Sequence, residues 1–270
     1  AVVNIILDPI FISVLGLGAG GAATASVIGY IFTDAYFTWF LLKRSKKLSV
    51  NPKGFYIKTD ELKPIFAIGI PASITNLMQS FGIMMTNRFL LPYGNEKVAA
   101  MGIVMKVNMI AVLVLVGFAF GGQPLIGYNY GANNKKRLKD ILAFCYKFEC
   151  GLAAVLAVIL CVAAKPLIQI FMDQPEIISA GVSMLRFQQF GMIFIAIVLV
   201  TTCTFQSAGK ASGAFWLSVS RQGLIFAIVI FAASKTIGYN GVIAAQPVSD
   251  FLTAVLAVVL FKKQLGGFFK

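Results

Sequence analysis

Asn4 and Asp8 place an amide and a carboxylate four residues apart in an apolar run, with Pro9 directly after them. Residues at i and i+4 share one face of a helix, so the two side chains point the same way. Pro9 has no N–H to donate, which leaves the Ile5 carbonyl without its helical partner and adds another oxygen beside the carboxylate. An apolar surround disfavours the charged form of a carboxylic acid, so an acid placed here is suited to exchanging a proton. The competing reading is structural: Asp8 caps a short helix that begins at Pro9.

Seven further charges fall inside apolar stretches: Asp34, Lys106, Lys147, Glu149, Arg186, Arg221 and Asp250. Charges in such surroundings are costly and turn toward a partner or a cavity. Each is therefore read as half of an interior ion pair or as part of a transport path, and Glu149 is the candidate acid of the second half. Two stripes are candidates for lining a substrate cavity. Ser73, Asn76, Ser80 and Asn87 recur at three-, four- and seven-residue steps and give one polar face to an apolar helix. Helix–helix hydrogen bonding is the alternative. Met101, Met105 and Met109 stand four apart; flexible, polarizable side chains suit a surface that accepts many shapes, with ordinary packing as the competing explanation.

The chain contains no histidine, which excludes His-based triads, general bases and metal sites. Cys145, Cys150, Cys161 and Cys203 lack CxxC spacing and read as small buried hydrophobes. No nucleophile and base are clustered, so an enzyme is not expected, nor is a cofactor or a bound metal. The glycines of 117–131 follow no strand; they read as close packing and a helix exit, not as a phosphate-binding loop.

The elements that position these residues must cross a membrane. The chain is 59% hydrophobic and 12% charged, with a mean hydropathy of +0.85, and its apolar residues fall into runs of the ~20 needed to span ~30 Å of hydrocarbon. Eight helical segments are expected, near 1–15, 20–42, 64–91, 97–127, 138–164, 176–205, 213–234 and 241–262. The breaks carry turn chemistry, as in GLGAGG (16–21), YGANN (130–134) and GYNG (238–241). Stretches 43–63, 132–140, 207–213 and 262–270 hold fifteen lysines and arginines, whereas the alternate loops hold only Lys97, Lys165 and Lys235. That asymmetry places the first set in the cytoplasm. The net charge of +13 is therefore mostly a topology signal with attraction to anionic lipid, and nucleic acid is not an expected partner.

A weak internal repeat organises the segments. GLGAGGAATASVIG (16–29) aligns with IGYNGVIAAQPVSD (237–250) at an offset of 221 residues, Gly20 falling on Gly241 and Ala23 on Ala244. A second unit of six helices then implies a first unit of which only the last two are present. The expected division is 1–42 for those two helices, 43–63 for a basic cytoplasmic linker, 64–262 for a complete second lobe and 263–270 for a cytoplasmic tail. Parallel six-helix repeats with a binding cavity between them are a transporter architecture.

NIILDPIFI followed by GLGAGGAATASVIG, then GIPASITNLMQSFG (69–82), then GFAFGGQPLIGYNYGANNKKRLKD (117–140) resemble, in order and spacing, the multidrug and toxic compound extrusion (MATE) transporters. The resemblance covers almost the whole chain. It implies an all-α, two-lobe helical bundle with about eight of twelve transmembrane helices present. It also implies export of organic cations and amphipathic drugs across the plasma membrane in exchange for protons or sodium ions, by a protein that is monomeric at full length. In some members an Asn and an Asp four apart bind the coupling cation with a hydroxyl on the following helix. Asn4 and Asp8 match the first two, and Ser26 matches the hydroxyl where the family more often has Thr. Members with a second-lobe cation site often carry an acid early in that lobe; segment 64–91 has none inside its apolar run, which favours coupling through the first lobe. Two alternatives stay open: a lipid-linked oligosaccharide flippase of the same superfamily, which Lys106 and Arg186 keep possible, and a channel or membrane-embedded enzyme, for which no pore repeat or catalytic cluster is seen.

Overall fold

A computed structural model describes residues 2–44 and 59–269. The described residues are all-α, and helices stand at each of the eight expected places. They are arranged in two compact units, Ala1–Leu62 and Lys63–Lys270. The expected linker, 43–63, lies mostly outside the described residues.

In the first unit, α1 (Val2–Pro9) runs without a break into a π-helical turn, Ile10–Val14. Pro9 keeps helical dihedrals, φ −59° and ψ −37°, and no side chain caps the turn. The reading of Asp8 as the cap of a new helix is therefore corrected: the helix passes straight through Pro9. With no proline N–H to hold the preceding turn, the backbone widens, and Leu15 N–H reaches the Ile10 carbonyl at 2.9 Å. Gly16 and Gly18, at φ +64° and +52°, then reverse the chain. The following helix, α2 (Gly18–Arg44), buries only Gly21, Ala25 and Gly29. These small residues at four-residue steps let two helix backbones approach closely, the packing membrane helices use when hydrophobicity cannot discriminate protein from lipid. The fit is tight, since a Cβ at Gly21 would lie 2.6 Å from the Phe11 carbonyl oxygen, and one at Gly29 would lie 3.5 Å from Asn4 Cβ.

The second unit is built from α3 (Thr59–Leu90) from Lys63 onward, α4 (Asn95–Gly131), α5 (Lys135–Val162), α6 (Ala164–Gln169), α7 (Pro175–Gln189), α8 (Met192–Ser207), α9 (Ala211–Val219), α10 (Ile225–Ile237) and α11 (Tyr239–Leu265). The short α6 was not expected from the sequence. The expected segment 176–205 is bent by 48° between α7 and α8, and 213–234 is interrupted by a π-helical turn, Ser220–Leu224, between α9 and α10. Among the described residues of the two units together, five helices are long and apolar enough to cross a membrane, or six if the bent pair is one span. At 13 residues, Val2–Val14 is shorter than a span. Asn134 caps α5 by accepting a hydrogen bond from Arg137 N–H at 3.2 Å, and Asn133 takes the left-handed conformation at φ +53°. The YGANN turn is thus explained by its own residues. Gly122 and Gly127 let α4 approach Cys145 and Ser207, as the glycine-rich run suggested.

The core of this unit joins Leu90, Met101, Val104, Ile168, Met184, Leu185, Phe226 and Ile230 from α3, α4, α6, α7 and α10. A second cluster closes Phe205 and Leu217 against Leu265. Elsewhere large apolar side chains face outward, among them Val155, Val158, Ile159, Phe231, Val255 and Val259. An exterior of this composition on helices of spanning length is suited to hydrocarbon, and the chain is a multi-pass membrane protein.

The α1–α2 packing supplies a direct test. Gly21→Val should force apart the backbones at Phe11 and cost about 1–3 kcal/mol, as overpacking typically does. Thermal unfolding of the detergent-solubilised protein would register it as a lowered midpoint, with Gly20→Val, which meets open space, as the neutral control.

Candidate functional site

The small face of α2 brings Ser26, next to Ala25, opposite α1, where Asn4 Nδ2 donates to Ser26 Oγ at 3.2 Å. Two of the three residues singled out in the first unit are therefore in contact. Asp8, one turn further along α1, has a buried Oδ1 with no hydrogen-bond partner among the described residues. A carboxylate oxygen in this condition is expensive, and it is relieved by a proton or by a cation. The site thus offers an acid, an amide and a hydroxyl next to a proline and a π turn, and π turns frequently mark functional positions.

In the second unit Glu149 lies near the middle of α5 and is 2% exposed, and neither of its carboxylate oxygens has a partner among the described residues. The same unit holds polar contacts between α4, α5 and α8 that spacing alone did not reveal. The hydroxyls of Tyr146 and Thr201 are 2.8 Å apart, Gln123 Nε2 donates to Gln206 Oε1 at 2.8 Å, and Ser207 Oγ donates to the Gln123 carbonyl at 3.2 Å. These link residues 55 to 84 positions apart in the chain, so no local pattern could have announced them.

The other intramembrane charges separate into distinct cases. Arg221, half-buried, pairs with the buried Asp250, Nε to Oδ1 at 2.8 Å, and Gln246 Nε2 donates to the same oxygen at 3.1 Å. Ser249 Oγ in turn donates to the Arg221 carbonyl at 2.9 Å. Arg221 sits in the π turn, and Asp250 faces the bend between α7 and α8, where a Cβ at Gly191 would come within 3.0 Å of Oδ2. This pair fits the structural reading. Lys106 and Lys147 are exposed, as is Arg186, whose Nε donates to the Cys161 carbonyl at 3.3 Å.

Ser73, Asn76 and Ser80 are exposed on one face of α3, and Asn87 is half-buried. The methionine stripe divides. Met101 is 1% exposed and belongs to the core, Met105 packs partly against that core, and only Met109 is open. Met101 is thus corrected to a packing residue. A residue eight positions before Met109 on the same helix lies under the α7 contact, and the four-residue step cannot tell the two environments apart.

The apolar helices and their buried acids describe a membrane protein with a polar interior, and comparison with known proteins gives the family. A family model described as MatE matches residues 71–232, more than half of the chain. The chain belongs to the MatE family. It is 29% identical over 258 residues to the multidrug export protein MepA of Staphylococcus haemolyticus (strain JCSC1435), covering 96% of this chain and 57% of that protein. Similarity to MepA of Staphylococcus aureus (strain MSSA476) is also 29%, over 257 residues, covering 95% of this chain and 56% of that protein. The chain thus spans a little over half the length of these relatives. In fold it is similar to an outward-facing multidrug resistance MATE family transporter of the MOP superfamily, with a TM-score of 0.87 at 22% identity over 98% of this chain and 60% of that one. A MOP superfamily transporter from Pyrococcus furiosus also scores 0.87 at 22% identity, over 99% of this chain and 61% of that one.

Two outcomes follow from the geometry. Single cysteines at Ser73, Asn76 and Ser80, in a background without the four native cysteines, should react with a membrane-impermeant thiol reagent, while one at Met101 should not; silence at all three exposed positions would place that face in lipid. Asp250→Ala should cost about 3–5 kcal/mol by stranding Arg221, and the double change Arg221→Met with Asp250→Leu should recover most of it. Thermal unfolding of the single and double variants separates a structural pair from a dispensable one.

Proposed function

We propose that the protein is an antiporter that exports organic cations and amphipathic drugs across the plasma membrane by alternating access, driven by protons. The observation that carries this reading is the buried, unpartnered Asp8 oxygen one turn from the Asn4–Ser26 hydrogen bond, in a chain that belongs to the MatE family. The printed names of its relatives, multidrug export proteins, support the drug substrates. The lysine and arginine distribution supports a cytoplasmic linker and C-terminus.

Asp8 can hold either a proton or a net negative charge that favours a cation, not both, so proton and cationic drug compete for one group. Such competition is a coupling free energy, reciprocal between the two ligands. Protonation from outside removes the charge that retains the drug, and release of the proton inside restores it. The π turn after Pro9 provides backbone with spare length that can repack as the charge changes. Asp8, Asn4, Ser26 and the Ile5 carbonyl offer fewer oxygens than a sodium ion's coordination shell requires, which favours the proton as coupling ion. The flippase reading draws no support from Lys106 and Arg186: they stand on different helices, and Arg186 is engaged with the Cys161 carbonyl. Ser73, Asn76, Ser80 and Met109 are the residues we assign to the aqueous substrate cavity.

Asp8→Asn in the intact gene product should abolish gradient-driven efflux of a fluorescent cation such as ethidium, by on the order of tenfold or more. Asn4→Ala and Ser26→Ala should weaken it less. With expression and membrane insertion matched, wild-type export with wild-type dependence on external pH in Asp8→Asn would overturn the mechanism. Collapsing the proton and sodium gradients separately identifies the coupling ion.

A further inference from the structure

Glu149 occupies a boundary inside the second unit. Toward the α5 C-terminus, its helix neighbour Ala153 lies in a closed apolar cluster with Ala111, Leu115, Met192, Ile195 and Ala196. Toward the α5 N-terminus, one turn back, lies the Tyr146–Thr201 hydroxyl pair. Beyond it comes the Gln123–Gln206 pair, which is exposed. The acid therefore has apolar side chains toward one end of the bundle and polar pairs in the direction of the other, the end where Lys135, Lys136, Arg137 and Lys139 begin α5.

Among the described residues no cation pairs with the carboxylate. The titratable groups near it are the thiols of Cys145 and Cys150 and the Tyr146 phenol on its own helix, and the Cys203 thiol on α8; Lys147 is exposed. On α4 no titratable side chain occurs between Lys106, which is exposed, and Tyr128. On α7, Arg186 reaches the Cys161 carbonyl, twelve residues or about 18 Å along the helix from Glu149. A carboxylate this deep with neither oxygen hydrogen-bonded among the described residues is strongly disfavoured in its charged form, and a proton removes that cost. Simple packing would be served better by Leu or Met, so the retained acid calls for a chemical account.

We propose that Glu149 is a proton-binding site internal to the second unit, exchanging with the side of the basic 135–139 stretch along Tyr146, Thr201, Gln123 and Gln206. The hydroxyls can relay a proton, and the amides can anchor water between them. This site is separate from Asp8 and goes beyond the reading given above, because it places a second proton in a different unit with access from one face only. When the relay is open, the proton leaves toward the cytoplasm; the apolar cluster around Ala153 prevents it from arriving by the opposite route.

The test is the reaction of the full-length protein in lipid vesicles with dicyclohexylcarbodiimide, which modifies protonated carboxyls in apolar surroundings, read by mass spectrometry of the peptide containing residue 149. The adduct should form on Glu149, disappear in Glu149→Gln, and fall about tenfold per pH unit on the alkaline side of its titration. It should persist in Asp8→Asn, so failure of the Asp8 mechanism and failure of this one give different results. Tyr146→Phe with Thr201→Val keeps the acid but breaks the relay, and should slow the change in labelling after a pH jump several-fold without altering its final extent. No adduct at any pH overturns the proposal, as does an adduct that ignores pH, which would mark a permanently protonated structural acid. Unchanged kinetics in the double variant overturn the assigned route.

Discussion

The absence of water from the hydrocarbon layer governs this structure, since no buried charge can borrow a partner from solvent. Three acids meet that constraint in three ways. Asp250 is held by the Arg221 guanidinium and the Gln246 amide, with the pair tied further through Ser249 to the Arg221 carbonyl. Asp8 has a buried oxygen without a partner beside an amide–hydroxyl bond. Glu149 has none on either oxygen among the described residues. An acid that is fully paired rigidifies its surroundings. An acid that is not paired stays ready for a ligand, and a proton is the smallest one available.

The irregular backbone follows the same logic. The π turn Ile10–Val14 begins two residues after Asp8, the π turn Ser220–Leu224 contains Arg221, and the 48° bend between α7 and α8 faces Asp250. A widened or broken helix exposes peptide groups and costs hydrogen bonds, so it persists where buried side chains replace what is lost. Gly191 leaves little room for a side chain against Asp250 and Pro247, and Gly21 leaves none against the Phe11 backbone. Small residues therefore act twice here, bringing backbones together and leaving space for polar groups. Glu149 differs in sitting on a regular helix, which is why its environment is set by α4 and α8 and not by any local distortion.

Much of the fold was legible in the sequence because hydrocarbon imposes a simple code: a run of sufficient length, punctuated by glycine, asparagine or proline, is a helix. Asn133 and Asn134 end one helix and cap the next by their own backbone and side-chain chemistry. The four-residue step from Asn4 to Asp8 fixed a shared face, and the hydroxyl at Ser26 came from resemblance and was then found in contact. The two π turns were not legible. One follows a proline that equally well predicts a cap, and the other, at Ser220–Leu224, has no proline at all.

The sequence by itself determined that the chain crosses a membrane several times, that histidine chemistry is absent, and which side chains are too polar for their runs. Those properties depend on composition and on spacing within one helix. Only the tertiary structure decided which polar residues are answered and which are not. Arg221 and Asp250, 29 residues apart, look no different in the sequence from Lys106 or Glu149, and Met101 looks no different from Met109. A partner is a matter of which helix lies opposite and at what height, and that depends on packing between segments distant in the chain, where the periodicity of one helix carries no information about the face of another.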